Sequence, residues 1–315
     1  MKGGPSRTAA PDREGASTRA GSASAPDQPS QTYLLGTQDD EIERLGLQHR
    51  IWRPQVLACW RRAGITVGSR VLDVGAGPGY ATLDLAEIVG PKGHVTALER
   101  SPRFLDVARA ACAARGFSNV EFHETDLMGA LPDLRGFDVA WCRWVAAFVS
   151  SPERLVGAIA GALRPGGAAV FHEYAHYGSF SLAPRGTALE SLKTTIVRDW
   201  RASGGEPDVG RELPRLLHEA GFRLGRMAPL VYAVGPKDFM WQWPASFIRI
   251  HLRHLLEEGR AEKAWADSIL EELAAAEADP SSYFITPLVI EIIARKAGGR
   301  FSLLRASPVP ASSAG

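Results

Sequence analysis

Val71-Leu72-Asp73-Val74-Gly75-Ala76-Gly77-Pro78-Gly79 is the stretch of this 315-residue chain that decides its fold. A short β-branched run ends in a glycine cluster, and Tyr80 to Val89 follows with the spacing of an amphipathic helix. Glycines at a strand-to-helix turn let a ligand come close to the backbone, and the helix start offers unpaired N–H groups. The pattern is not G-x-G-x-x-G, because Tyr80 stands where the third glycine would be. It is G-x-G-x-G with an acid, Asp73, two residues ahead. A carboxylate there would repel a dinucleotide pyrophosphate and suits a ligand whose nearby portion is cationic.

Downstream of the loop, the chain alternates strands with helices. Gly90-Pro91-Lys92-Gly93 breaks the first helix, and His94 to Leu98 reads as a second strand. A helix opens at Ser101-Pro102 and stops at Gly116. Val120 to His123 and Phe137 to Cys142 are the third and fourth strands. A helix from Ser151-Pro152-Glu153 ends at the turn Arg164-Pro-Gly-Gly167, and Ala168 to Tyr174 is the fifth strand. This rhythm predicts an α/β, doubly wound, Rossmann-like sheet, mostly parallel and seven-stranded, with helices on both faces. Upstream, Leu45, Trp52, Val56 and Trp60 recur at helical spacing, and Pro54 is expected to kink that helix or divide it.

After Tyr174 the pattern changes. Residues 175–210 read as helical, Leu213 to Ala220 as a helix and Leu230 to Val234 as a strand. A helical cap insertion spans about 237–280, and a terminal antiparallel strand is expected at 288–295. The resulting division is a disordered tail (1–30), an N-terminal covering helix (31–66) and a Rossmann-like core (67–175). A cap with one sheet strand (176–285), a terminal strand region (286–305) and a flexible tail (306–315) complete it.

Composition narrows the function. The chain is 45% hydrophobic and 23% charged with a net charge of +1, which removes the usual electrostatic argument for a nucleic-acid partner. Three scattered cysteines, Cys59, Cys112 and Cys142, fit neither a disulfide framework nor a structural zinc site. They favour a reducing, cytoplasmic compartment. No run reaches the length of a membrane span, and residues 1–30 lack the apolar core of a secretory signal.

Two further acids extend the glycine loop into a site. Glu99 ends the second strand 20 residues after Gly79, where an acid can accept both hydroxyls of a ribose diol. Asp126 follows the third strand and is placed to accept from an adenine amino group. Glycine loop, ribose acid and adenine acid at successive strand ends describe a nucleoside site at the carboxyl edge of the sheet.

With these residues in order, about 67–175 resembles the class I S-adenosylmethionine-dependent methyltransferases. Phe137-Asp138-Val-Ala and Leu163-Arg-Pro-Gly-Gly167 extend the likeness, and Arg143-Trp144-Val145 before Pro152 is similar to the ubiquinone/menaquinone-biosynthesis-like branch. Ala76 stands where many members carry cysteine. The resemblance implies S-adenosyl-L-methionine as cofactor, with S-adenosyl-L-homocysteine as product and no metal. Asp73, Gly75, Ala76, Gly77 and Gly79 would then surround the methionine part. Glu99 would hold the ribose with Arg100 and Ser101 beside it, Asp126 and Leu127 would flank the adenine, and Arg143 and Trp144 would lie at the methionyl end. Tyr33, and Glu41, Arg44 and Gln48 on one helix face, resemble a cofactor-covering N-terminal helix.

The expected reaction is methyl transfer to a small organic acceptor at oxygen, nitrogen or carbon, in secondary or quinone-like metabolism. Alternatives are an RNA or protein methyltransferase and a non-catalytic cofactor-binding partner; an NAD-dependent oxidoreductase would want the missing third glycine. A homodimer stays open. His172-Glu173-Tyr174-Ala175-His176 spells H-E-x-x-H, but it starts inside an apolar strand, where residues four apart do not converge on a zinc ion. Glu173, Tyr174 and His176 lie at the end of strand five and are candidate general bases. Phe239, Trp241, Trp243 and Phe247 in the cap favour an apolar or aromatic acceptor if they line the cleft, and otherwise serve as packing. His251 and His254 read as a solvated helix face.

Overall fold

The computed structural model describes residues 1, 3–4, 36–129, 131–184 and 186–298. The chain divides at Thr32/Tyr33; of the first unit only Met1, Gly3 and Gly4 are described, and the fold below is that of the second. Tyr33 and the two terminal tails expected from the sequence lie outside the described residues, apart from Met1, Gly3 and Gly4.

A 25-residue helix, Asp39–Ala63 (α1), comes first. Asp39, Asp40 and Glu41 in its first turn and Arg61 and Arg62 in its last complement the helix dipole, and Gly64 closes it in the left-handed conformation. Pro54 does not divide it. A mid-helix proline costs about 3 kcal/mol. Here Ile51, Trp52, Val56, Cys59 and Trp60 bury one continuous stripe on either side of it, and that burial outweighs the lost hydrogen bond.

Then follow Arg70–Val74 (β1), Tyr80–Val89 (α2), His94–Glu99 (β2), Pro102–Ala114 (α3), Val120–Glu124 (β3), Phe137–Arg143 (β4), Pro152–Ala162 (α4) and Leu163–His176 (β5). The cap carries Ser181–Ala183 (β6), Thr187–Ala202 (α5), Leu213–Glu219 (α6), Phe222–Leu230 (β7), Ala233–Val234 (β8), Gln242–Glu257 (α7), Lys263–Ala278 (α8) and Tyr283–Ile285 (β9). Leu288–Lys296 (β10) is the final strand. The main sheet has seven strands in the order β3-β2-β1-β4-β5-β10-β7. β10 runs antiparallel between β5 and β7, and the pairings among β1 to β5 are parallel. The expected seven-stranded doubly wound sheet is therefore what the chain forms, and a small second sheet, β6-β9-β8, adds to it.

Side-chain alternation assigns the two faces. Val71, Val95, Val139, Trp141, Ala168 and Val170 join α1 and α2 in one core. Leu72, Leu98, Ala140, Cys142, Ala169 and Phe171 join α4 and the cap helices in the other. Period-two alternation on a sheet buried on both sides requires apolar residues at both parities, which explains the near-continuous apolar strands.

Three sequence expectations need correction. Leu163 to Gly167, read as a turn, belongs to β5 through an irregular pairing with β4. Of the strand expected at Leu230 to Val234, Ala233–Val234 is β8 of the small sheet, and Leu230 ends a longer strand of the main sheet, β7 at Phe222–Leu230. Arg223, Gly225, Arg226 and Pro229 mask its pattern, and a sheet edge tolerates such residues. Residues 175–210, expected to be helical, contain β6 and a helix only from Thr187.

Candidate functional site

The glycine loop leaves β1 at Val74 and opens α2 at Tyr80. Gly75 and Gly77 have φ of +68° and +57°, a region that favours glycine. A Cβ on Gly75 would meet Val145 Cγ2 at 2.4 Å, whereas a Cβ on Gly77 would find nothing of the described residues within 4 Å. The loop is thus packed at Gly75 and open at Gly77. At Gly79 the neighbour is Ala108 of α3, 2.5 Å from where a Cβ would stand. The Ala76 amide donates to Leu98 O at 2.9 Å, tying the loop to β2.

Two acids, Asp73 and Glu99, hold this loop and the helix it opens, and a third, Asp126, follows β3. Asp73 is buried and accepts from Thr82 Oγ1 at 2.6 Å, which ties β1 to the first turn of α2. Burial pushes its carboxyl up to about 6. Glu99 accepts the Gly77 amide at one oxygen and the Ser101 amide at the other, each at 2.9 Å. Burial raises its pKa, against the opposing pull of these amides. Ser101 also caps α3 by accepting from the Phe104 amide, and Arg100 between the two is exposed. Asp126 lies beyond β3, exposed, with its carboxylate turned onto the Met128 amide at 2.9 Å, and Leu127 is half-buried. The Thr125 amide donates to Glu99 O, so the β2 and β3 ends are joined beside the loop.

The end of β4 supplies Arg143 and Trp144. Burial lowers the Arg143 pKa to about 10, and its guanidinium lies over the Trp144 ring, 5.1 Å from the centroid. Nη2 donates to His49 Nδ1 at 3.2 Å, while Nη1 is buried without a hydrogen-bond partner among the described residues. Trp144 adopts φ +51°, unusual for a bulky residue, and its amide donates to His172 O at 3.0 Å. Its ring lies near-parallel to those of Trp243 and Tyr174, with centroids 5.6 Å and 5.7 Å away.

α1 covers this edge through a buried network. Arg44 makes two hydrogen bonds to Glu41, at 2.6 Å and 2.7 Å, and a third to Gln48 Oε1 at 3.0 Å. Trp243 Nε1 of α7 donates to the same oxygen at 3.0 Å. Arg44 and Gln48 therefore join the covering helix to the cap.

Of the three base candidates, Tyr174 is half-buried within the ring stack and His176 is exposed. Glu173 is fully buried, and its Oε1 accepts from the Val145 and Ala146 amides at 2.7 Å each. Burial raises its pKa to about 8, and Oε2 has no hydrogen-bond partner among the described residues. It holds the turn that presses Val145 against Gly75.

H-E-x-x-H lies in β5, and His172 points to Trp141 and Glu291 rather than towards His176. Cys59, His172 and Glu291 bring ligand-type atoms within 4.8 Å of one another. Glu291 is already held by Arg62 at 2.7 Å and Arg226 at 2.6 Å, two cations that occupy its carboxylate. The cap histidines are not a wet face: His251 is buried and stacked on Phe247, with burial lowering its pKa to about 4, and His254 pairs with Asp40. Of the cap aromatics, Phe239 is exposed, Trp241 packs on Phe284, and Trp243 reaches the stack.

Sequence reasoning missed His49 and Asp84. Asp84 of α2 lies 3.0 Å from His49 Nε2, and no local spacing links residues 35 apart in the chain.

Residues 65–221 match a methyltransferase-domain family. Demethylmenaquinone methyltransferase of Lactococcus lactis subsp. lactis (strain IL1403) is 34% identical over 130 residues, 41% of this chain and 50% of that protein. Its counterpart in Staphylococcus aureus (strain JH9) is 29% identical over 190 residues, 56% of this chain and 75% of the relative. The chain thus spans about half the length of the first of these relatives. In fold, phosphoethanolamine N-methyltransferase 2 of Haemonchus contortus, solved with phosphomonomethylethanolamine and S-adenosylhomocysteine, aligns with a TM-score of 0.54 at 19% identity. The alignment covers 87% of this chain and 61% of that one. Residues 65–221 are thus a methyltransferase domain, of the class I S-adenosylmethionine-dependent type.

Proposed function

We propose that the chain transfers the methyl group of S-adenosylmethionine to a small organic acceptor with a flat, apolar portion. The observation that carries this reading is the pairing of Gly77 with Glu99: a backbone position with open space above it among the described residues, gripped through its amide by a half-buried acid. Glu99 keeps lone pairs for a ribose diol, because each oxygen has accepted one amide. The unpartnered Nη1 of Arg143 fits the carboxylate of the methionyl end, since a buried charged donor without a partner is costly. Asp126 and Leu127, after β3, are assigned to the adenine.

When bound, the cofactor supplies a methyl group already activated by a sulfonium charge. The protein then has to align the acceptor and keep water out, and proximity and desolvation supply most of the acceleration. Trp144, Tyr174 and Trp243 provide a flat apolar wall for this, the last two rings being within 7° of parallel. The relatives named as demethylmenaquinone methyltransferases are consistent with such an acceptor. Tyr174 is assigned to the wall, Glu173 to the support of the Val145 turn, and no obligatory base is required. Transfer of label from methyl-labelled S-adenosylmethionine into small molecules, against Glu99→Ala as control, tests the proposal.

A further inference from the structure

Arg143 is held from one side. Its Nη2 donates to His49 Nδ1 at 3.2 Å, and a guanidinium can only donate, so Nδ1 carries a lone pair. The imidazole proton then sits on Nε2 and is donated to Asp84 Oδ2 at 3.0 Å. Asp84 in turn receives Arg53 at 2.7 Å and 3.2 Å. The row Arg53–Asp84–His49–Arg143 runs from a half-exposed arginine of α1, through α2, to the end of β4. Its inner end is unfinished: Arg143 Nη1 has no hydrogen-bond partner among the described residues. His49 and Asp84 are 5% and 8% exposed, and Tyr80 lies against the imidazole with ring centroids 6.2 Å apart, so the ring has little freedom to turn.

We infer that His49 is a positioning residue for the carboxylate end of the cofactor: α1 orients the Arg143 guanidinium through His49, with Asp84 fixing the tautomer that can accept. The inference rests on the assignment of Arg143 to the methionyl carboxylate made above. It adds an orienting role to α1, whose Arg44 and Gln48 lie on the covering network. A strap that merely packs α1 on α2 would affect all ligands alike. An orienting role acts only on the ligand portion that Arg143 touches.

The two are separated by titrating S-adenosylhomocysteine and 5′-methylthioadenosine into the full chain by calorimetry. The second ligand keeps the adenosine and the sulfur but lacks the amino-acid portion. His49→Ala should weaken S-adenosylhomocysteine about tenfold, the scale of one charge-assisted hydrogen bond, and leave 5′-methylthioadenosine unchanged. Unchanged binding of the second ligand also reports that the variant is folded. His49→Asn, whose Oδ1 can accept where Nδ1 did, should recover most of the loss. Equal weakening of both ligands, or full-strength S-adenosylhomocysteine binding in His49→Ala while Arg143→Ala loses it selectively, would overturn the inference. If Arg143→Ala itself fails to discriminate the two ligands, the assignment of Arg143 falls, and the inference with it.

Discussion

Glu99 Oε2 accepts the amide of Gly77 at 2.9 Å, so an acid at the end of β2 fixes the backbone of the glycine loop 22 residues earlier in the chain. Its other oxygen accepts the Ser101 amide at 2.9 Å. The residue assigned to the ribose is therefore also the residue that shapes the loop. Glu99→Gln must turn an amide NH2 towards one of these two N–H groups and leave it unsatisfied. A stability loss of about 1–3 kcal/mol is expected, together with more than about tenfold weaker S-adenosylhomocysteine binding. Thermal unfolding and calorimetric titration of the same preparation read both.

Gly75 and Gly77 should separate packing from binding. Gly75→Ala forces a Cβ to within 2.4 Å of Val145 and should lower the melting temperature by several degrees. Gly77→Ala meets no atom of the described residues within 4 Å, so its stability cost is limited to the backbone strain of a left-handed alanine, about 1 kcal/mol. Its cofactor affinity should nevertheless fall further than its stability does, because the added methyl occupies space assigned to the ligand. If Gly77→Ala binds S-adenosylhomocysteine like the parent, that space is not the cofactor's.

Glu173 gives the fold a pH signature. Burial raises its pKa from 4.5 to about 8, so between these values the folded chain binds a proton that the unfolded chain releases. The associated stability is present below the unfolded value and is lost as pH rises through about 8. Glu173→Gln removes this titration and keeps an oxygen for the Val145 and Ala146 amides. The melting temperature of the variant minus that of the parent should therefore increase from about pH 5 to about pH 9. A difference independent of pH would mean that Glu173 is not held neutral.

Tyr174 is assigned to the wall rather than to proton transfer. Tyr174→Phe keeps the ring beside Trp144 and Trp243 and should leave kcat within about threefold, whereas loss of a general base costs about 10²–10⁴-fold. Tyr174→Leu removes the flat surface and should raise the acceptor KM more than the cofactor KM. Steady-state kinetics with each substrate varied in turn distinguishes these outcomes. A hundredfold fall in kcat for the phenylalanine variant would assign the hydroxyl to catalysis.

The glycine loop, the Glu99 position and the succession of the first five strands along the chain are legible because each is written in a few consecutive residues. Glycine after β-branched strand residues, serine or proline at helix starts and glycine at helix ends are local signals. The edge strand Phe222–Leu230 was not legible, since exposure on a sheet edge admits Arg223, Arg226 and Pro229 and erases the alternation. Nor were the residues that work across the fold. His49, Asp84 and Arg143 lie on α1, α2 and β4, and Glu291 meets Arg62 only once β10 enters the sheet beside β5. Their pairing depends on topology, and no window of sequence contains it. Tyr174 and His176 share one strand end, but only Tyr174 joins the ring stack, because burial ends before His176.

Methyl transfer itself is the most direct test of the account. S-adenosylmethionine labelled in its methyl group is incubated with the full chain and a bacterial extract, and the products are split into small-molecule and macromolecular fractions. Label is expected in the small-molecule fraction, dependent on the chain and lost with Glu99→Ala. Label confined to protein or RNA would contradict the small acceptor. Undiminished labelling by Glu99→Ala would contradict the cofactor site.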